Sequence, residues 1–192
     1  VGVPTIKTGP MTVEEFYAFT DTRPDEEKWE LIDGEPVLNA SPSELHQRIV
    51  KNLSFALTTL ERRPGTAWEI LPGLGVRVSE TSRPEPDVLI IPISGGSADP
   101  QGRDRSDMIA AFEVLSPSTA SRDLRWKRTA YTSLPTLTHY VVIAQDAVDV
   151  VVFSRENGFA EQRLRSLGES IELRSLGISV ALSEIYRNTG LK

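Results

Sequence analysis

Apolar residues along this chain keep two spacings, and each predicts a different kind of element. Leu45, Ile49, Leu53, Ala56, Leu57 and Leu60 recur at the helical period. They predict the longest helix, opened by Ser41-Pro42-Ser43-Glu44, a capping box with proline at the first helical position. It ends near Arg62, before Arg63-Pro64-Gly65. A second capping box, Thr12-Val13-Glu14-Glu15, predicts a short helix to about Thr20, with Val13, Phe16, Tyr17 and Phe19 available for burial. Elsewhere short β-branched runs bounded by Pro, Gly, Asp or Ser read as strands. These are 28–32 and 36–40, joined at Asp33-Gly34, then 66–71 and 74–78, read as a hairpin around Pro72-Gly73. Further strands are predicted at 88–91, 110–115, 139–144, 147–154 and 159–164, the last two joined at Asn157-Gly158. Ser116-Pro117-Ser118-Thr119 starts a helix to about Leu134, and 183–187 is a short closing helix. The mixed order predicts one α/β or α+β domain over 1–192, a mixed sheet flanked by helices. Residues 1–10 read as a flexible N-terminal arm, and 94–107 as a mobile polar loop.

Two of the predicted strands contain an acid. Asp87 stands at the mouth of Val88-Leu89-Ile90-Ile91, and Glu113 lies between Ala110-Ala111-Phe112 and Val114-Leu115. A carboxylate in a buried strand is unfavourable unless a cation pairs with it. If the strands are neighbours, alternation along them sets Asp87 and Glu113 side by side. Two carboxylates that close raise each other's pKa unless a cation binds between them, which is the geometry of a divalent-metal site. Removing either acid is then expected to relieve repulsion, so that stability holds or rises. On the helix that follows, Ala120, Asp123, Leu124, Lys127, Ala130, Tyr131 and Leu134 share one arc at about 100° per residue. Lys127 on that inner face needs a partner, and the two strand acids are the expected ones. Arg122, Arg125 and Arg128 fall outside the arc, as a solvated face or a nucleic-acid contact. A buried salt-bridge cluster without chemistry is the alternative for the acids and the lysine. His46 reads as a surface histidine near the start of the long helix.

Composition narrows the chemistry. The chain has no cysteine, and its two histidines are His46 and His139, which argues against a multi-histidine zinc site. A metal here would be held by carboxylates, which suits Mg²⁺ or Mn²⁺. The net charge of −6 argues against broad nucleic-acid binding and leaves room for a local basic groove. No apolar run approaches the roughly 20 residues of a membrane span, and VGVPTIKTGP lacks the pattern of a signal peptide. The expectation is a soluble cytoplasmic protein with no membrane contact.

The segments WELIDGEPV, SELHQRIVKNL, RPEPDVLII and FEVLSPST, followed by an Asp, a Lys and a Tyr and by HYVVI, resemble the Uma2 family, also called DUF820. The resemblance runs from about Met11 to Val152. It implies the PD-(D/E)XK restriction-endonuclease-like fold, with Asp87 and Glu113 as the metal acids and Lys127 as the lysine, moved from strand to helix. Glu30 matches the family's early glutamate, and His46 a recurring histidine. In the general nuclease pattern the lysine stands two residues after the second acid, where this chain has Leu115.

The sequence therefore predicts a Mg²⁺-dependent endonuclease cutting DNA, with Asp87, Glu113, Lys127, Glu30 and His46 at the site. Its rivals are an inactive nuclease-fold module that binds nucleic acid or protein, and a hydrolase of small phosphoesters. The run 148–153 is apolar and β-branched, and the hairpin 147–164 that contains it predicts an exposed edge and hence a homodimer or higher oligomer.

Overall fold

The structure, a computed structural model, describes residues 9–97, 99–116 and 123–192. The expected arm lies almost wholly outside the described residues, as do the start of the Ser116 helix, Ala120, Arg122 and the side chain of Asp123.

Thr12 caps α1 (Val13–Thr20) as expected: its side chain accepts from the Glu15 amide while Glu15 accepts from the Thr12 amide. A two-stranded ribbon follows, β1 (Trp29–Ile32) and β2 (Glu35–Leu38), turning at Asp33-Gly34 with positive φ at both residues, as a tight hairpin requires. The long helix α2 spans Glu44–Glu61, and Ser43, not Ser41, caps it by accepting from the His46 amide. The cap therefore lies two residues later than the first serine suggested, which sets His46 in the first turn.

β3 (Trp68–Pro72) does not fold back on its successor. Proline at its end and Gly73 at φ +65 turn the chain away. Gly75–Val76 (β4) instead pairs in parallel with Asp104–Arg105 (β6). β3 pairs antiparallel with β5 (Val88–Pro92), β5 with β7 (Ala110–Leu115), and β7 runs parallel to β8 (His139–Ala144). β9 (Val150–Ser154) and β10 (Glu161–Leu164) complete a six-stranded mixed sheet in the order β10-β9-β8-β7-β5-β3. A parallel neighbour needs a crossover, and the segment between β7 and β8 supplies it. Its described part is one turn of π-helix, Asp123–Lys127, running into α3 (Arg128–Thr132).

Both sheet faces are covered, which is why the central strands are apolar throughout. Val88, Ile90, Phe112 and Val114 pack on Ile49, Leu53 and Leu57 of α2. On the other face Leu89, Ile91, Ala111 and Tyr140 meet Tyr131 and Leu134. The alternation of Ile171, Leu173, Ile178 and Val180 builds a further hairpin that the sequence reading missed, β11 (Ser170–Leu173) with β12 (Ile178–Ala181). It precedes α4 (Leu182–Ile185).

Two expectations about the periphery change. The hairpin 147–164 does end the sheet, but its apolar strand β9 lies between β8 and β10 and is not the edge itself. The edge on this side is β10, where Glu161, Gln162 and Arg163 are exposed, a charged rim that disfavours strand pairing. The loop expected to be mobile is pinned to α1: Tyr17 donates to buried Asp104, and the Arg103 guanidinium lies 3.7 Å from the Tyr17 ring centre. Among the described residues no helix is long and apolar enough to cross a membrane.

Candidate active site

The antiparallel register of β5 and β7 sets Val88 opposite Phe112. One step further along the ladder, Asp87 comes opposite Glu113. Asp87 stands just before β5 begins, so its side chain is not committed to a sheet face. Its Oδ2 accepts from the Val114 amide at 2.8 Å and lies 3.3 Å from Nε2 of His46 on α2. Lys28 approaches its other oxygen, Oδ1, at 4.0 Å and Glu85 at 3.4 Å. Burial pushes the Asp87 pKa up, but the hydrogen bond and charge of His46, the Val114 amide and the Lys28 charge outweigh it, holding the carboxyl below its ordinary 3.8. Asp87 is therefore a carboxylate at neutral pH.

Glu113, inside β7, is 4 % exposed, and it faces α3. Lys127 Nζ donates to its Oε1 at 2.8 Å, and the Tyr131 hydroxyl donates to the same oxygen at 3.1 Å. Lys127 and Tyr131 are one helical turn apart, so both reach one carboxylate. The Lys127 ammonium also lies 2.8 Å from Oε1 of Glu30 on β1. Glu30 is fully buried, and it accepts from the Glu85 amide at 2.7 Å and from Asn39 at 3.0 Å. Burial first, then the charges of Glu113 and Glu30, drive the Tyr131 pKa well above 10, so the phenol keeps its proton and remains a donor.

These groups meet at a cleft of about 570 Å³ whose walls include Lys28, Ser43, His46, Gly73 and Gln145, with Asp87, Glu113 and Lys127 also lining it. Ser43 donates to Gln145 at 2.6 Å and ties the start of α2 to the end of β8 at one side of the cleft. All five residues expected at the site, Asp87, Glu113, Lys127, Glu30 and His46, are brought together, and His46 is a buried member of it instead of a surface residue. The two strand acids are not held in mutual repulsion, since Glu113 is bound by Lys127 and Asp87 by His46 and Val114. Each acid therefore has partners to lose, which argues against the expectation that stability holds or rises when either is removed.

The arginine stripe divides. Arg125 is exposed, whereas Arg128 donates to the Phe159 carbonyl at 3.0 Å and lies 4.4 Å from the Phe153 ring centre. Arg122 lies outside the described residues. Lys28, Asn39 and the Tyr131 hydroxyl are site groups that sequence reasoning did not single out. The Tyr131 position, one turn after Lys127 on the inner face, was the available signal.

A family model described as "Uma2: Putative restriction endonuclease" matches residues 13–183. The chain belongs to the Uma2 family. An uncharacterised protein of Synechocystis sp. is 29% identical to this Uma2 chain over 107 residues, which cover 53% of each. The chain thus spans about half the length of the curated relative it matches. In three dimensions the Uma2 chain is similar to the crystal structure of a "putative nuclease belonging to DUF820" from Anabaena variabilis ATCC 29413, with a TM-score of 0.76 and 14% identity. That likeness covers 92% of this chain and 98% of the other, and it is one of fold.

The site also bears on which ion this Uma2 cleft suits. Among the described residues no three His, Asp or Glu side chains form a ready-made metal cage. Asp87 and Glu113 offer oxygen donors alone, at a cleft large enough for water and phosphate. Oxygen donors of this kind would suit Mg²⁺, an ion that keeps several waters and binds through one or two carboxylates.

Proposed function

We propose that this chain is a divalent-metal-dependent nuclease of the PD-(D/E)XK kind that hydrolyses phosphodiester bonds in DNA. The observation that supports it best is the pairing, at one cleft, of carboxylates from adjacent strands with a buried lysine bonded to one of them. Asp87 and Glu113 would hold Mg²⁺ or Mn²⁺. Bound there, the ion would polarise the scissile phosphate and lower the pKa of an attacking water.

The chain's own residues do the rest. Lys127 keeps a fixed positive charge beside Glu113, where charge develops on the phosphate oxygens, and fixed charge in a buried site needs no reorganisation as the reaction proceeds. It supplies from the helix the ammonium that Leu115 cannot supply from the strand. Glu30 positions Lys127, and Tyr131 and Lys127 together fix the rotation of the Glu113 carboxylate. His46 and the Val114 amide do the same for Asp87. Lys28, 40 % exposed at the rim, is free to turn from Glu85 toward a phosphate. Cutting both strands at one position takes two such clefts, so association of copies belongs to the same proposal, through a surface other than β9.

A lysine bonded to two acids is also what an inert salt-bridge cluster looks like, and a chain using it so would bind DNA or protein without cutting. The test is incubation with single- and double-stranded DNA, RNA and bis(p-nitrophenyl) phosphate, each with Mg²⁺, Mn²⁺ or chelator. DNA cut only when an ion is present is the expected result. DNA bound but never cut would favour the inert module. Turnover of the small diester with DNA untouched would favour a small-phosphoester hydrolase.

A further inference from the structure

The residue before Lys127 reaches the same hairpin that Lys127 does. Trp126 donates its indole N–H to Oδ2 of Asp33 at 2.7 Å, while Lys127 meets Glu30 on β1 of that hairpin. The Asp33 end of this bond is anchored independently. Its amide donates to the Ser82 hydroxyl at 3.0 Å, and Ser82 donates back to Oδ1 at 3.3 Å. The neighbouring Gly34 amide donates to the Thr81 carbonyl at 2.7 Å. Asp33 itself sits at φ 50, a conformation that Asp and Asn tolerate better than most residues. The other end is a π-helical turn, Asp123–Lys127, a rare wide-ringed turn that recurs frequently at functional sites. A fixed anchor joined to such a turn constrains the turn, not the anchor.

We propose that Trp126 and Asp33 are a positioning pair, which fastens the π turn to the hairpin and so holds the Lys127 ammonium between Glu30 and Glu113. The inference rests on the assignment of Lys127 to the site and adds to it what sets the lysine's place. Neither residue touches the cleft floor. Trp126→Phe keeps an aromatic ring, though a smaller one, and removes the N–H. Asp33→Gly keeps the positive φ and removes the acceptor, and Asp33→Asn keeps both the turn preference and an acceptor oxygen.

The first readout needs no substrate. Lys127 is 3 % exposed and so protected from an amine-acylating reagent, with modification read at each lysine by mass spectrometry. Trp126→Phe and Asp33→Gly should each raise acylation of Lys127 about three- to tenfold, the scale of one lost hydrogen bond, with Lys28 and Lys51 unchanged. Asp33→Asn should stay near the parent. The double variant should be no worse than Asp33→Gly alone, which already removes the acceptor of the bond that Trp126→Phe deletes. If the chain cleaves DNA, kcat should fall roughly tenfold or more with KM little changed, as for a misplaced group. Unchanged Lys127 acylation in Trp126→Phe would overturn the pairing, as would additive effects in the double variant. Should Trp126→Phe not fold, Asp33→Gly against Asp33→Asn decides the same point. A chain that cuts no substrate would sink the nuclease reading while the acylation result still judged this one.

Discussion

Lys127 and Glu30 meet in the interior, the ammonium nitrogen 2.8 Å from Oε1, although one lies on the crossover helix and the other on a ribbon outside the main sheet. Glu113 accepts from the same ammonium. Taking one member from a buried ion pair leaves its partner's charge uncompensated, which costs about 3–5 kcal/mol. Lys127→Ala is therefore expected to lower both the melting temperature and the cleavage rate, the latter roughly 10²-fold. Arg125→Ala, on the exposed side, should affect DNA affinity at most. Leu115→Lys in the Lys127→Ala background returns an ammonium near Glu113 and should recover part of the rate, measured at a temperature where every variant is folded. Parent-like cleavage by folded Lys127→Ala would remove the lysine from the mechanism.

Tyr131 contributes one hydroxyl to that cluster, and its ring packs edge-on against Tyr140 at 5.3 Å. Tyr131→Phe keeps the ring contact and loses the hydrogen bond to Glu113. Partners of this kind typically tune metal affinity, so Mn²⁺ should bind about tenfold more weakly. Calorimetric titration with Mn²⁺ reads this directly. An unchanged affinity would mean that Lys127 alone orients the carboxylate.

Asp87→Ala is expected to destabilise by about 1–3 kcal/mol, because the Val114 amide loses its acceptor and His46 its partner. The sign against pH follows from the lowered carboxyl. The contribution of Asp87 is complete above 3.8, its unfolded value, and is lost as pH falls through the lower folded value. Chemical denaturation of parent and variant at pH 7 and pH 3 should show the difference shrinking at the lower pH.

His139 should tilt stability at milder acidity. It is buried at the start of β8, and burial lowers its pKa below 6.5 against a smaller opposing pull from Glu156. The unfolded chain then takes the proton first, so stability falls as pH drops below 6.5 and levels once the folded imidazole also titrates. His139→Gln should flatten this part of the profile in melts run between pH 8 and pH 5. An equally steep profile in the variant would assign the slope to other groups.

Most of the site was legible because its residues announce themselves. Two acids in apolar strands and one lysine on an apolar helix face each break a local pattern, and the structure joins Lys127 to Glu113 and sets Asp87 opposite it. What each acid pairs with was less visible. Glu30 lies on a ribbon outside the sheet, and its approach to Lys127 depends on tertiary packing that no spacing encodes. The long helix followed from its period and its cap, and the central strands from short β-branched runs between turn residues. Pro72-Gly73 misled, because the same residues that close a hairpin also let a chain leave the sheet, and the pairing of β4 with the distant β6 decided between them. The hairpin 147–164 was legible as the end of the sheet, and its first strand is apolar because both its edges are paired, leaving the charged β10 as the rim.

The most direct measurement is single-turnover cleavage of an end-labelled DNA in Mn²⁺ by the parent and by Glu113→Gln, purified side by side. Gln keeps the shape of the side chain and an acceptor for Lys127 and Tyr131 but loses the charge that an ion requires. The parent is expected to cut, with Glu113→Gln slower by roughly 10²-fold or more and the chelated parent inactive. Equal cleavage by both, or none by a folded parent that binds Mn²⁺, would contradict a metal-dependent nuclease built on Asp87 and Glu113.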